Sequence, residues 1–199
     1  MPLRSKYSAK PEAGCDEAGR GCLAGPVFAA AVMLDPRKKI KGLNDSKQLS
    51  EKKRNELRIE IEEKALSFGV GVMSNTEIDE HNILRASFLA MHRALQSLVP
   101  QPEFILVDGN RFIAYHDVPY QCIIKGDALY QSIAAASILA KTYRDEFMQR
   151  IHELHPQYSW NQNKGYPTRE HRASIRTHGI TPYHRLSFTL LNDQLQLGI

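Results

Sequence analysis

The sequence predicts an α/β fold, a mixed β-sheet with helices on its faces. Two strand-like segments joined through a Gly-Arg-Gly turn come first, and further strands then alternate with helical periodicities. The run Phe104-Ile105-Leu106-Val107 is apolar throughout, as in a strand buried on both faces.

Residues 12–17 and 26–34 are the opening strands, and Pro36 ends the second. After the loop Gly42 to Lys47, Ser50 is placed to cap a helix reaching about Leu66, with Leu57, Ile61 and Ala65 on one face. Ser67 to Met73 reads as a third strand. Thr76 is expected to cap a longer helix, with Asp79 three residues on in the manner of a capping box. Its Ile78, Leu84, Phe88, Met91, Leu95 and Leu98 keep helical spacing, as core residues do. Pro100 and Pro102 stop that helix, and Asp108-Gly109 ends the apolar strand beyond them. Tyr120 to Lys125 is the next strand, closed by Gly126-Asp127. A helix from about Ala128 to Leu154 turns Ile133, Ala136, Ala140 and Phe147 inward, and its run Ala134-Ala135-Ala136-Ser137 suits close packing on a sheet. Residues 155–199 change character, becoming basic and aromatic-rich.

A chain of 199 residues suits one domain, or one with a helical appendage, and 42% hydrophobic with 24% charged content is that of a soluble globular protein. No apolar stretch approaches a membrane span, and Met1 to Pro11 lacks a signal-peptide core, so a cytoplasmic, membrane-free protein is expected. Cys15, Cys22 and Cys122 fit neither a disulfide set nor a zinc pattern and read as reduced thiols. The net charge of +4 is uneven. Residues 1–140 carry 18 basic against 17 acidic side chains, and residues 141–185 carry 8 against 4. That distribution suits a polyanion held by one part of the chain and cut by another, although a solvated basic surface gives the same count.

Asp16 and Glu17 stand directly before Gly19-Arg20-Gly21. Side chains alternate faces along a strand, so both can serve one site only where a strand end or a bulge re-aims one of them. A polar hairpin turn is the plainer reading of the same residues. Asp108 ends a buried strand and Asp127 stands where a strand gives way to a helix, at the strand ends where sites of open α/β sheets lie. Asp127 fits a helix N-cap equally well, and Asp108-Gly109 fits a turn. Jointly, four acids without cysteine or histidine partners suit Mg²⁺ or Mn²⁺ and not zinc. Two such ions roughly 3.5–4 Å apart can activate a water and stabilise the leaving oxygen in phosphodiester hydrolysis.

At this point the sequence resembles the ribonuclease HII family, the type 2 ribonucleases H of bacteria. The resemblance is carried by Gly14-Cys15-Asp16-Glu17-Ala18-Gly19-Arg20-Gly21 with Leu23 and Gly25-Pro26-Val27, and by Leu43-Asn44-Asp45-Ser46-Lys47-Gln48-Leu49-Ser50. It continues through Asp79-Glu80-His81-Asn82-Ile83-Leu84, Val107-Asp108-Gly109-Asn110, Lys125-Gly126-Asp127 and Ala134 to Lys141 with Arg144-Asp145. Lys164-Gly165-Tyr166-Pro167-Thr168, His178-Gly179 and His184-Arg185-Leu186-Ser187-Phe188 complete it.

The resemblance implies a ribonuclease H-like fold with a mixed five-stranded sheet flanked by helices and a small helical carboxyl-terminal part. Residues 1–154 would be the catalytic domain, and residues 155–199 a basic substrate-binding extension of the same unit. It implies cleavage of the RNA strand of RNA–DNA hybrids, and of DNA at single embedded ribonucleotides, with Mn²⁺ or Mg²⁺. By position, Asp16, Glu17, Asp108 and Asp127 would be the catalytic acids. Asp16, Glu17 and Asp108 would be the metal ligands, with Asp127 helping at a second ion or binding only with substrate. Backbone groups of Gly19, Arg20 and Gly21 would approach the 2′-hydroxyl, which glycine permits. Tyr166 would stack on the deoxyribose beyond the junction, and Lys47 would bind a phosphate near the cut. Lys141, Arg144, Lys164, Arg169, Arg172 and Arg185 would line the duplex backbone. Plainer readings are a tyrosine packed under a loop and solvated basic side chains. The histidines, His184 among them, have no ligand spacing and are expected at the surface or in hydrogen bonds.

The segment Gln194-Leu195-Gln196-Leu197-Gly198-Ile199 resembles the peptide by which bacterial repair enzymes dock on the sliding clamp. A monomer is the default expectation. Two other classes remain: a hybrid-binding module that cuts nothing, and a glycosidase working with two carboxylates. Four gathered acids without a metal are too repulsive to stay ionised, which weighs against the first. A glycosidase needs neither a basic groove nor a cation.

Overall fold

The computed structural model describes residues 2–191. One sheet of five strands, β1 (Glu12–Ala18), β2 (Val27–Leu34), β3 (Ala65–Met73), β4 (Phe104–Asp108) and β5 (Tyr120–Ile123), runs in the order β3-β2-β1-β4-β5. The first three strands are antiparallel neighbours, whereas β4 lies parallel to β1, and β5 parallel to β4. The expected mixed sheet is therefore present, and its carboxyl-terminal strand ends at β1, β4 and β5 lie together.

Among the described residues six α-helices accompany it: α1 (Glu51–Lys64), α2 (Asn75–His81), α3 (Ile83–Gln96), α4 (Gln131–Leu154), α5 (Trp160–Asn163) and α6 (Arg169–His178). Side-chain alternation along β2 divides the core into two layers. Val27, Ala29, Ala31 and Met33 pack with Ala90, Met91 and Leu95 of α3. Ala30 and Val32 pack instead with Leu57 and Ile61 of α1 and with Ala136 and Leu139 of α4. A third cluster joins Leu23 and Ala24, just after β1, to Met148, Tyr158, Trp160, Ile175 and Leu190. The carboxyl-terminal helices are thereby packed against the turn that follows the first strand. No helix among the described residues is long and apolar enough to cross a membrane.

Several boundaries differ from expectation. The helix expected from Thr76 begins one cap earlier: Ser74 accepts from the Glu77 amide at 3.2 Å, and Glu77 accepts from the Ser74 amide at 2.8 Å. Asp79 is committed elsewhere, accepting from the amides of Leu186 and Ser187. The same helix breaks at Asn82, which takes a positive φ of 61° and caps α3 by accepting from the Arg85 amide. Ala65 opens β3 opposite Leu34 and is not on the α1 face. Strand β5 stops at Ile123, and a 3-10 turn, Gly126–Ala128, precedes α4, whose N-cap is Tyr130. Asp127 is thus not the helix cap. Ile133, Ala136 and Ala140 are fully buried, while Phe147 is half-buried against the carboxyl-terminal cluster. The clamp-like segment Gln194 to Ile199 lies outside the described residues.

Helix α4 sits on β1 with no room to spare. A Cβ at Gly14 would stand 2.3 Å from the Ser132 carbonyl carbon and 2.4 Å from the Ile133 nitrogen. Because those are backbone atoms, α4 itself would have to move. Gly14→Ala is therefore expected to cost about 1–3 kcal/mol, read as a lower urea midpoint. An unchanged midpoint would mean that α4 is not seated as described.

Candidate active site

The four acids reach one sheet end by a register that no local pattern encodes. Cys15 of β1 pairs with Val107 of β4, so Asp16 and Asp108 follow side by side on neighbouring parallel strands. Leu106, two residues before Asp108, packs with Tyr130 and Ile133 at the start of α4, and Gly14, two before Asp16, touches the same helix. Alternation therefore turns both aspartates to the α4 side. The β1–β2 ladder runs without a register shift from Gly14 to Ala18, so no bulge re-aims Glu17. Pairing with β4 ends at Cys15, and Arg20 holds Glu17 at the strand end through a 3.1 Å ion pair. The Gly126 amide donates to Asp108 Oδ1 at 2.7 Å, which ties the turn bearing Asp127 to the end of β4.

Charge at this end is crowded. Burial, then Glu17 and Asp108, hold the Asp16 carboxyl well above the usual carboxylate range, against hydrogen bonds from Ser137 and from the Glu17 amide at 2.7 Å. Glu17 is raised chiefly by burial despite Arg20, with Asp108 adding to the rise. Burial, Asp108 and Asp45 raise Asp127. Lys47 faces the cluster: partial burial works against its charge, but Asp127, Asp16, Asp45 and Asp108 together raise it. Among the described residues no three histidine, cysteine or carboxylate side chains converge as closely as ligands of one ion. The acids share a sheet end without closing on a point.

The Gly19-Arg20-Gly21 turn is built from beneath. Arg185 donates from Nη2 to the Gly19 carbonyl at 2.8 Å, from Nη1 to Arg20 at 3.0 Å and from Nε to Gly25 at 2.9 Å. Arg144 donates to the carbonyls of Pro26, Ala24 and Lys164. Gly19 has φ of 99°, and a Cβ there would lie 2.0 Å from Arg144 Nε, so only glycine fits against that guanidinium. At Gly21 a Cβ would meet nothing within 4 Å; this corner is open.

Arg144 and Arg185 are therefore not where a duplex could touch them. Both were expected along a phosphate backbone, yet they are 1% and 0% exposed, and their hydrogen bonds run to protein carbonyls. Burial lowers Arg185 to about 10, which leaves it charged at neutral pH. Lys141 pairs with Asp145 at 2.5 Å, Lys164 donates to the Asn161 carbonyl, and Arg172 donates to the carbonyls of Thr189 and Leu190. Arg169 is exposed. Tyr166 is 42% exposed and lies near Cys22, beside the turn. His184 and His171 are buried hydrogen-bonding residues; burial lowers both, His184 to about 4.

Two residues enter the site unannounced. Asp45 lies near Asp127, whose carboxyl it raises, and accepts from the Lys47 amide at 2.9 Å. Ser137 lies near Asp16, whose carboxyl it lowers, and also meets the Ser46 hydroxyl at 2.9 Å, so the Lys47 loop is tied to α4 beside the strand that bears Asp16. A serine in an otherwise apolar run facing a sheet was the available signal.

Comparison with known proteins identifies the family and the fold. A family profile described as ribonuclease HII matches residues 13–191. The ribonuclease HII of Parabacteroides distasonis is 63% identical over 198 residues, covering 100% of both chains. Among solved structures, ribonuclease H2 from Pyrococcus horikoshii superposes with a TM-score of 0.76 at 26% identity, covering 90% of this chain and 94% of its own. The ribonuclease HII of Archaeoglobus fulgidus, solved in complex with PCNA, gives a TM-score of 0.74 at 27% identity, covering 93% and 98%. The fold is thus ribonuclease H-like, and the chain belongs to the ribonuclease HII family of hydrolytic nucleases.

Proposed function

We propose that the protein hydrolyses the RNA strand of RNA–DNA hybrids and nicks duplex DNA on the 5′ side of a single embedded ribonucleotide, leaving 3′-hydroxyl and 5′-phosphate ends. The observation that carries this reading is the closeness of cutting and recognition groups: Asp16, Glu17 and the open corner at Gly21 fall within six residues, at one sheet end with Asp108 and Asp127. Only the 2′-hydroxyl marks a lone ribonucleotide in DNA apart from its base. A glycine turn whose carbonyls are held inward leaves its other backbone groups free to approach a sugar.

The donor set fits a divalent metal. Every acid in the cluster offers hard oxygen, and each raised carboxyl gains from an adjacent cation. Asp16, Glu17 and Asp108 would hold Mn²⁺ or Mg²⁺, with Asp127 assisting at a second position. When bound, such ions lower the pKa of an attacking water and neutralise charge on the phosphate and the departing 3′-oxygen, the two-ion arrangement of phosphodiester hydrolysis. The chain's own residues do the rest. Lys47 holds a phosphate beside the cut, Asp45 fixes the Lys47 backbone, and Ser137 orients Asp16. Tyr166 offers its ring to the deoxyribose beyond the junction. Residues from 155 onward would serve the duplex.

A duplex bearing one ribonucleotide tests this reading. Wild type should nick it 5′ of the ribonucleotide with Mg²⁺ or Mn²⁺ and not with chelator, and Asp108→Asn should lose at least about 10³-fold in rate, as expected when a metal-binding carboxylate is lost. Cleavage that survives chelator, or none with either metal, overturns it.

The crowded charges give a second expectation. Asp16, Glu17 and Asp127 sit above their ordinary values, so the folded chelated protein holds protons that the unfolded chain releases. That contribution to stability is complete below the ordinary carboxylate range of about 4 and is lost as pH rises through the raised values. Asp108→Asn keeps the acceptor for the Gly126 amide and removes one repelling charge. In chelator at neutral pH it should melt about 2–4 °C above wild type, with the gap closing as pH falls toward 4. A variant that melts lower throughout would show that repulsion from Asp108 does not limit the stability of the metal-free fold.

We further propose that Gln194 to Ile199 docks on a sliding clamp, a reading supported by the relative solved with PCNA. Deleting residues 194–199 should abolish retention on immobilised clamp while leaving the nicking rate unchanged. Equal retention would end the proposal.

A further inference from the structure

Two cations lie buried behind the proposed ribose-reading turn. Among the described residues neither Arg144 nor Arg185 has a carboxylate within ion-pair distance, although a buried charge is ordinarily paired. Their six hydrogen bonds all go to carbonyls of two loops, residues 19–26 and the segment at Lys164. Arg185 grips only the first loop. Arg144 spans both: Nη2 and Nε reach Ala24 and Pro26 at 3.2 Å, Nη1 reaches Lys164 at 2.8 Å, and Gly19 lies directly on the guanidinium. The two loops also share one backbone bond, from the Leu23 amide to the Gly165 carbonyl at 2.8 Å. One bond sets a distance; a second, rigid fork beside it sets an orientation.

From this geometry we infer that Arg144 is a positioning residue, a rivet that fixes the spacing and tilt of Tyr166 relative to the Gly19–Gly21 turn. The inference rests on the reading that the turn meets the ribose and Tyr166 the next sugar. The joint then works as a gauge for one ribose-to-deoxyribose step, and a planar five-donor group is what can hold three carbonyls of two loops at once. Lysine keeps the charge, but its three rotatable donors do not reproduce that planar fork.

The test is a double-mutant cycle on a duplex carrying a single ribonucleotide, with wild type, Arg144→Lys, Tyr166→Ala and the double variant. Arg144→Lys alone should lower kcat/KM about 10- to 100-fold, the scale of a misplaced binding group. In the Tyr166→Ala background the same change should cost less than about threefold, because nothing is left to position. The slope of log affinity against log salt should not move, whereas loss of a true phosphate contact lowers it by about 1. If Arg144→Lys does not fold, Gly165→Ala replaces it in the cycle. Its Cβ would stand 2.6 Å from the Ala24 carbonyl oxygen and press the loops apart with both cations intact. Additive losses, with Tyr166→Ala itself impaired, overturn the rivet and leave the role of Tyr166 standing. A Tyr166→Ala protein that nicks like wild type overturns both, and a slope lowered by about 1 returns Arg144 to the phosphates.

Discussion

Repulsion among carboxylates at one sheet end is the constraint around which the rest is arranged. Two like charges about 4 Å apart at an effective dielectric of about 20 repel by about 4 kcal/mol, a large share of a typical folding stability of about 5–15 kcal/mol. A cluster of that kind survives only where its members are held by groups committed to the fold. Each acid has such a holder: the Glu17 amide and Ser137 for Asp16, Arg20 for Glu17, the Gly126 amide for Asp108, and Lys47 for Asp127. Burial first, and the neighbouring carboxylates after it, still leave three of the acids raised. The surplus negative charge is a site's affinity for a cation, carried as a cost by the empty fold.

Helix α4 supplies the frame. Ser137, Lys141, Arg144 and Asp145 recur at helical spacing along one stripe, the same face that seats on β1 at Gly14. Ser137 meets the catalytic strand and Arg144 meets the turn after it, seven residues later, or about 10 Å of helix rise. The acid-bearing strand end and the Gly19–Gly21 turn are thereby registered against a single rigid rod. This explains why the helix makes its closest approach at the strand that bears Asp16 and Glu17.

How much of this could be read from residues alone divides by range. Elements bounded by local signals were legible: the apolar strand before Asp108-Gly109, the small-residue run of α4, and Ser50 as a cap, which accepts from the Lys53 amide at 3.2 Å. Caps chosen between close competitors were not. Ser74 and Thr76 both precede a helical pattern, and the reciprocal bond to Glu77 decides for Ser74. The four acids could be gathered by their positions at strand ends, but the partners that steady them depend on register and on a loop returning from residue 45, which no spacing encodes. The two arginines illustrate the limit most clearly. A sequence records charge and not depth, so Arg144 and Arg185 looked like a groove lining until the fold placed them beneath a turn.

Their burial does not remove their charge from the argument about substrate. Carbonyl dipoles satisfy the guanidinium donors but cannot cancel a net charge, and among the described residues no carboxylate is paired with either group. In a low-dielectric setting an uncompensated charge projects farther than it does in water. The basic excess of residues 141–185 would therefore still act on a polyanion held over the turn, although Lys141, Lys164 and Arg172 are engaged within the protein. Under the proposed function the acids and the cations beneath the turn would divide the work: the cations would draw a phosphate backbone toward the protein, the acids would admit it through a bound metal, and the glycine corner would meet the sugar.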